Sequence, residues 1–181
     1  MLNKEIAAYL AGIIDGEGCI GINRNHNHTQ RHRTPRYSID VVVTNTSADL
    51  MLKLQEWFPA SLRLRRKERE YWRECWRWVI SGGKARKLLE FVLPYLIVKQ
   101  KQAELALLYL DSVTPYNNRG HKAMPAEEWQ KRERFYQWMK QLNSVPAETE
   151  CEGIREDEAT VRTVGKLTEL AEMTNRLREV S

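Results

Sequence analysis

Four short runs of this chain alternate apolar with polar residues, and they come in two pairs. In residues 19–25, Ile20 and Ile22 point one way while Cys19, Gly21, Asn23 and Asn25 point the other. In residues 36–45, Tyr37, Ile39, Val41 and Val43 oppose Arg36, Ser38, Asp40 and Val42. A period of two is the mark of a strand with one buried face. The polar, proline-bearing stretch 26–35 joins these runs into an antiparallel hairpin. The second pair sets Leu62 and Leu64 against Arg63, Arg65 and Lys67, then Trp76, Trp78 and Ile80 against Arg77 and Val79, with a charged turn between.

Helical patterns surround the hairpins. Residues 4–15 are apolar on more than one side, so that helix is expected to be buried all round. Asp15-Gly16-Glu17-Gly18 ends it, on the expectation that a glycine there takes a positive φ. Ser47 N-caps a second helix carrying Leu50, Leu54 and Phe58, which Pro59 ends. Residues 84–111 read as helix interrupted near Pro94. The order αββαββα predicts an α+β fold: a four-stranded antiparallel sheet, helices on its apolar face, and a polar face left free for something large. Residues 1–113 form this core. Residues 114–181 are expected to be a helical extension packed on it, with one helix from Pro125 carrying Trp129, Phe135, Met139 and Leu142, and another over 157–179. The glycine-terminated helix occurs once, and 113–181 lack strand alternation, so a second diverged copy of the core is not expected.

Charge narrows the partner. Residues 1–101 hold 18 Lys+Arg and 10 Asp+Glu, a surplus of +8; residues 102–181 hold 11 and 14, a deficit of −3, giving the net +5. A basic module with a mildly acidic tail fits a polyanion. No run approaches a membrane span, and Met1–Glu5 is no start for a signal peptide. A soluble intracellular protein is expected, with neither a membrane nor a small-molecule substrate as partner. Cys19, Cys75 and Cys151 are scattered, odd in number and free of CxxC spacing, which argues against a disulfide framework or a structural zinc site.

Residues 10–18 read Leu-Ala-Gly-Ile-Ile-Asp-Gly-Glu-Gly. Small residues at Ala8, Ala11 and Gly12 would let two such helices approach closely, and Glu17, just past the helix end, would meet its counterpart near a two-fold axis. Close carboxylates favour a hard divalent cation. The segment resembles the signature of the LAGLIDADG homing endonucleases, with Ile13, Gly16 and Glu17 as variants. A second stretch, LPYLIVKQKQAELAL at 93–107, is similar to a segment of the single-motif, homodimeric, chloroplast-intron-encoded enzymes of that family.

The resemblance implies a homodimeric, site-specific double-strand DNA endonuclease. It implies Mg²⁺ as cofactor, held by Glu17 and the Gly16 backbone carbonyl, with Ca²⁺ supporting binding but not cleavage. Lys99, the first lysine of KQKQ, maps onto the family's catalytic lysine, and Asn45 in Val43-Thr44-Asn45 onto the polar residue that orients water. The relatives carry an arginine four positions later, where this chain has Asp49; Lys53 is one turn on. The same frame also accommodates a catalytically weak DNA-binding regulator or an RNA-binding intron maturase.

Strand rise is ~3.3 Å per residue, so a ten-residue strand follows about 10 bp of duplex. The free face offers Asn23, Asn25, Arg36, Ser38, Asp40, Arg63, Arg65, Lys67 and Arg77 as DNA-binding residues: Arg suits guanine, Asn adenine and Asp cytosine in the major groove. Arg31, Arg33, Lys84 and Arg86 are expected at phosphates. The resemblance implies a near-palindromic target of roughly 20–24 bp, cut to leave 3′ overhangs. His26, His28 and His32 read as groove or phosphate contacts rather than metal ligands. Most of the six tryptophans, Trp76 and Trp78 above all, read as core; Trp72 reads as a turn residue, and Cys19 as packing.

Overall fold

The computed structural model describes residues 3–25, 35–66, 73–113 and 124–144. The first helix, α1 (Lys4–Glu17), is capped by the Asn3 side chain, which accepts the Ile6 amide at 3.0 Å. It runs two residues further than expected, so Glu17 is its last residue and does not lie past its end. Gly18 also departs from expectation. Its φ is −92° and ψ 165°, extended backbone that any residue adopts. Glycine is needed there for room: a Cβ would lie 2.7 Å from the Ile14 carbonyl oxygen and 2.8 Å from Ile14 Cα. Strand β1 (Gly18–Asn25) can therefore leave the helix without a connecting residue. Among the described residues the glycine with positive φ is Gly82, at 60°, where the chain turns from a strand into a helix.

Strands β1, β2 (Arg36–Asn45), β3 (Ser61–Arg65) and β4 (Cys75–Ser81) form one sheet in the order β1-β2-β4-β3, every neighbour antiparallel. Helix α2 (Ala48–Trp57) separates the hairpins, and α3 (Gly82–Val92) follows β4. A single 3₁₀ turn at Leu93–Tyr95, with Pro94 inside it, then leads to α4 (Gln100–Ser112). Ile20, Ile39, Val41, Val43, Trp78 and Ile80 are buried beneath these helices. Each fully buried side chain of this kind contributes roughly 1.5–3 kcal/mol. Trp78 also donates its indole N–H to the Phe58 carbonyl at 3.3 Å.

Two expectations about burial are corrected. Helix α1 is not buried all round: Ala7, Leu10, Ala11 and Ile14 face the core, while Ala8, Tyr9 and Gly12 are exposed. The far end of the sheet is not covered either. Leu64 is 42% exposed, and Leu62 and Trp76 are only half-buried. The reason is position: β3 is an edge strand paired to β4 alone, and α2 packs on β4 and β2.

A fifth helix, α5 (Ala126–Asn143), starts from Pro125 and packs on α4 and β1 within the same compact unit, which extends to Ser144. Phe135 and Met139 are buried, whereas Trp129 is partly exposed. Phe135 meets the Tyr109 ring edge-on at 5.5 Å between centroids. Asn143 donates to the Ile20 carbonyl at 2.9 Å and Lys131 to the Ser112 carbonyl at 2.6 Å. Buried Arg132 pairs with Glu128 at 2.7 Å. Near the outer end of the first hairpin, Glu133 accepts from Arg24 at 2.9 Å and from the Tyr37 hydroxyl, and Arg24 also lies over the Tyr136 ring. Burial alone would raise the Glu133 carboxyl, but hydrogen bonds from Tyr37, Gln137 and Arg24 outweigh it and hold it below its ordinary value. The helix expected over 157–179 lies outside the described residues.

Candidate catalytic centre and nucleic-acid interface

The C-terminal end of α1 gathers the chemistry. Asp15 and Glu17 both stand in its last turn, where the helix dipole disfavours negative charge, and no basic residue shares that turn. Asp15 is compensated from elsewhere. Its carboxylate accepts three backbone amides of the loop before α4: Ile97 at 2.8 Å and Val98 at 3.2 Å on one oxygen, and Lys99 at 2.9 Å on the other. The Lys99 ammonium donates back to the Asp15 carbonyl. Lys99 is thereby fixed within two residues of Glu17, although more than eighty residues separate them in the chain. Glu17 itself is exposed and has no hydrogen-bond or ion-pair partner among the described residues. Asp15 is a participant that sequence reasoning missed. Its signal was present as an acid in a dipole-disfavoured position, but the partner is a run of amides, which leaves no side-chain pattern.

The sheet's free face starts at that same end. Register places its outward residues in rows across the strands. One row runs Thr44, Arg77, Arg63, and the next holds Cys19, Val42, Val79 and Ser61. Further out come Gly21 with Asp40 and Ser81, then Asn23 with Ser38, then Asn25 with Arg36. Arg36, Arg63 and Arg77 are exposed and have no ion-pair partner among the described residues. Arg65 lies beside Cys75 at the β3 end. Asn23 donates to Asp40, so these two form a pair on the surface, and the second Asp40 oxygen is buried without a partner. Lys67, Arg31, Arg33, His26, His28, His32 and Trp72 lie outside the described residues.

Several expected sites are placed elsewhere. Asn45 is in register with Trp76, out of phase with the polar face, and its side-chain carbonyl accepts the Ser47 amide at 2.8 Å. That is a turn-forming bond into α2, and Thr44 is the residue on the polar face. Ala11 is fully buried within the chain, one helical turn below Ala7, so of the three small residues only Ala8 and Gly12 present an open surface. Arg86 is held by Asp111 at 2.7 Å and Glu90 at 3.5 Å; the Asp111 hydrogen bond raises its guanidinium pKa, and it is committed to the helical layer. Lys84 donates to the Pro59 carbonyl at 3.0 Å, and Lys53 pairs with Glu56 at 2.8 Å. Asp49 sits in the first turn of α2, where its charge favours the helix. No cluster of three His, Cys, Asp or Glu side chains is arranged for a metal among the described residues.

This fold is that of the DNA-complexed homing endonucleases. The chain superposes on the homing endonuclease I-CvuI, crystallised with its Sro1.3 target and calcium, with a TM-score of 0.63 and 20% identity, over 79% of this chain and 85% of that one. The archaeal intron-encoded homing endonuclease I-Vdi141I, complexed with DNA, matches with a TM-score of 0.59 and 11% identity, over 84% and 88%. The group I intron-encoded I-CeuI, also complexed with DNA, matches at 0.53 and 18%, over 83% and 72%. Curated protein sequences give no match. The sequence profile of the LAGLIDADG endonucleases matches residues 10–109, from the first residue of the glycine-ended motif into α4. The chain belongs to the LAGLIDADG endonuclease family.

Proposed function

We propose that this protein is a homodimeric homing endonuclease that hydrolyses both strands of a long, near-palindromic DNA site in a divalent-metal-dependent reaction, leaving 3′ overhangs. The observation that carries this reading lies at the end of α1: an exposed Glu17 carboxylate with no ion-pair partner among the described residues, two positions after Asp15, to which the Lys99 ammonium of a distant segment is bonded. The donor set fits Mg²⁺. Glu17 is an exposed oxygen ligand in a position where negative charge is otherwise unfavourable, and Gly16 lies among the last carbonyls of a helix, which lack intrahelical partners. Mg²⁺ needs only one or two carboxylates when phosphate and water complete its shell, and Ca²⁺ accepts the same donors. Such a cation, when bound, activates water and neutralises the leaving oxygen.

The chain's own residues do the rest. The Lys99 ammonium stabilises the charge that develops on the scissile phosphate. The Arg63, Arg77 and Arg36 guanidiniums and the Asn25 amide meet base edges and phosphates of one half-site, and Asn23 and Asp40 act as a bonded pair. The open face of α1, with Ala8, Tyr9 and Gly12, meets its copy across a two-fold axis and brings the two Glu17 residues together. Ile97 and Val98, 86% and 69% exposed on the loop pinned by Asp15, extend the apolar surface that such a dimer covers. The cleaving core is residues 1–113, and the later residues support it. The working compartment is intracellular, and the gene's setting is an intron. No described helix is long and apolar enough to cross a membrane.

A second reading rests on Asp49, which supplies no positive charge where related enzymes carry an arginine. It makes the chain a binding-only regulator or a maturase. A library of randomised ~22 bp duplexes, matched to two half-sites, separates the readings. Discrete cutting in Mg²⁺ but not Ca²⁺, converging on a two-fold sequence with 3′ overhangs, is expected of the endonuclease. Selective binding without cutting in either metal is expected of the regulator, and preference for structured RNA over every duplex is expected of the maturase.

A further inference from the structure

We infer that Asp15 is a positioning residue for Lys99: its carboxylate, by accepting the amides of Ile97, Val98 and Lys99, sets where the Lys99 ammonium stands at the end of α1. The inference rests on the reading of Lys99 as a catalytic group and adds to it a residue that acts through Lys99.

The geometry gives Asp15 no other occupation. A carboxylate has about four acceptor positions, and three are filled by main-chain N–H groups of one short loop. Hydrogen bonds to a charged acceptor are the strong ones, roughly twice as strong as neutral pairs. The loop needs such an anchor. Ile97 and Val98 are largely exposed, so packing within the chain does little to hold it. No side chain caps α4 at Lys99. Asp15 thus anchors the residues that lead into α4, from the helix that carries Glu17. The return bond from the Lys99 ammonium to the Asp15 carbonyl closes the link. The two catalytic side chains are therefore referenced to one short segment, Asp15 to Glu17, and move together if α1 shifts.

The link is a matter of acceptor chemistry. Asn at position 15 keeps the shape but turns one acceptor oxygen into an NH₂ that faces an N–H donor. Glu keeps both acceptors but carries them one methylene too far. Both changes displace the loop while leaving the sheet face untouched. A misplacement of about 1 Å at a reacting group costs on the order of 10²-fold in rate.

The experiment is a double-mutant cycle of Asp15→Asn with Lys99→Met in the full chain, with Asp15→Glu as a second variant, on a cognate duplex recovered from the library. Single-turnover cleavage in Mg²⁺ and duplex affinity in Ca²⁺ are measured together. In the Lys99 background, Asp15→Asn and Asp15→Glu are each expected to slow cleavage about tenfold to a hundredfold, with affinity within about threefold. In the Lys99→Met background the same changes are expected to cost less than about twofold. Hydrogen exchange on the metal-free protein supplies a readout independent of activity: protection of the Ile97, Val98 and Lys99 amides is expected to be lost in Asp15→Asn, while that of β1 and β2 is kept. Equal losses of rate in both backgrounds, or unchanged protection of the three amides, would overturn the inference. Full cleavage by Lys99→Met alone would overturn it too, by removing the catalytic role of Lys99, and would leave the role of Glu17 standing.

Discussion

A Cβ on Gly18 would press on the Ile14 backbone at 2.7 Å, whereas a Cβ on Gly12 would meet nothing within 4 Å. The two glycines of one motif thus differ: the chain's own packing requires Gly18 and leaves Gly12 free. Gly18→Ala forces backbone apart, and thermal unfolding is expected to show a loss of roughly 1–3 kcal/mol. Gly12→Ala touches nothing in the chain and replaces a poor helix former, so the isolated chain is expected to gain about 0.5–1 kcal/mol. Small-residue spacing singled out Gly12, whereas Gly18 was expected only to end the helix through a positive φ, because a close approach of backbone to backbone writes no side-chain pattern. The same limit hid Asp15, whose partners are amides. Asn45 does end β2 as its place in Val43-Thr44-Asn45 suggests, but its bond to the Ser47 amide, a local turn into α2, was not legible in that motif.

At the scale of elements, period-two alternation made the four strands and the two hairpins legible, though not the β2–β4 pairing that joins them, and Pro59, Pro94 and Pro125 marked helix ends correctly. What alternation does not carry is which part of a strand the helices reach. Leu64 and Trp76 have the right phase for the core and stay partly open because β3 is an edge. Helix α5 shows the complementary case. Its place on the sheet depends on polar anchors as well as on Phe135 and Met139, above all the Glu133 carboxylate bonded to Arg24 and Tyr37. Glu133 titrates below its ordinary 4.5, so its contribution is present above that pH and is lost as pH falls through the lowered folded value. Unfolding midpoints measured from pH 6 downward are expected to fall on the acid side of about 4.5. The part of that fall due to this network is expected to vanish in Glu133→Gln. An unchanged acid profile in the variant would assign the anchoring of α5 to its apolar contacts alone.

At the scale of the whole molecule, the proposed function gives the open face of α1 and the exposed Ile97–Val98 pair to a second copy, and the polar sheet face to DNA. Gly12→Leu places a branched side chain where the helices of two copies would cross. Sedimentation is expected to show monomer at concentrations where the unaltered protein is a dimer, with the circular dichroism of the fold retained; an undisturbed dimer would remove α1 from the interface. Arg77→Ala opens the row shared with Thr44 and Arg63. It is expected to weaken the selected target by about 1–3 kcal/mol and to relax base preference near the cut. The most direct test of the central claim is Glu17→Gln on that target. The change keeps the shape and removes the charge that would hold the cation. Duplex affinity in Ca²⁺ is expected to stay within about tenfold, while cleavage in Mg²⁺ falls by at least about 10²-fold. A Glu17→Gln protein that binds and cuts at the unaltered rate would contradict the assignment of the catalytic centre to the end of α1.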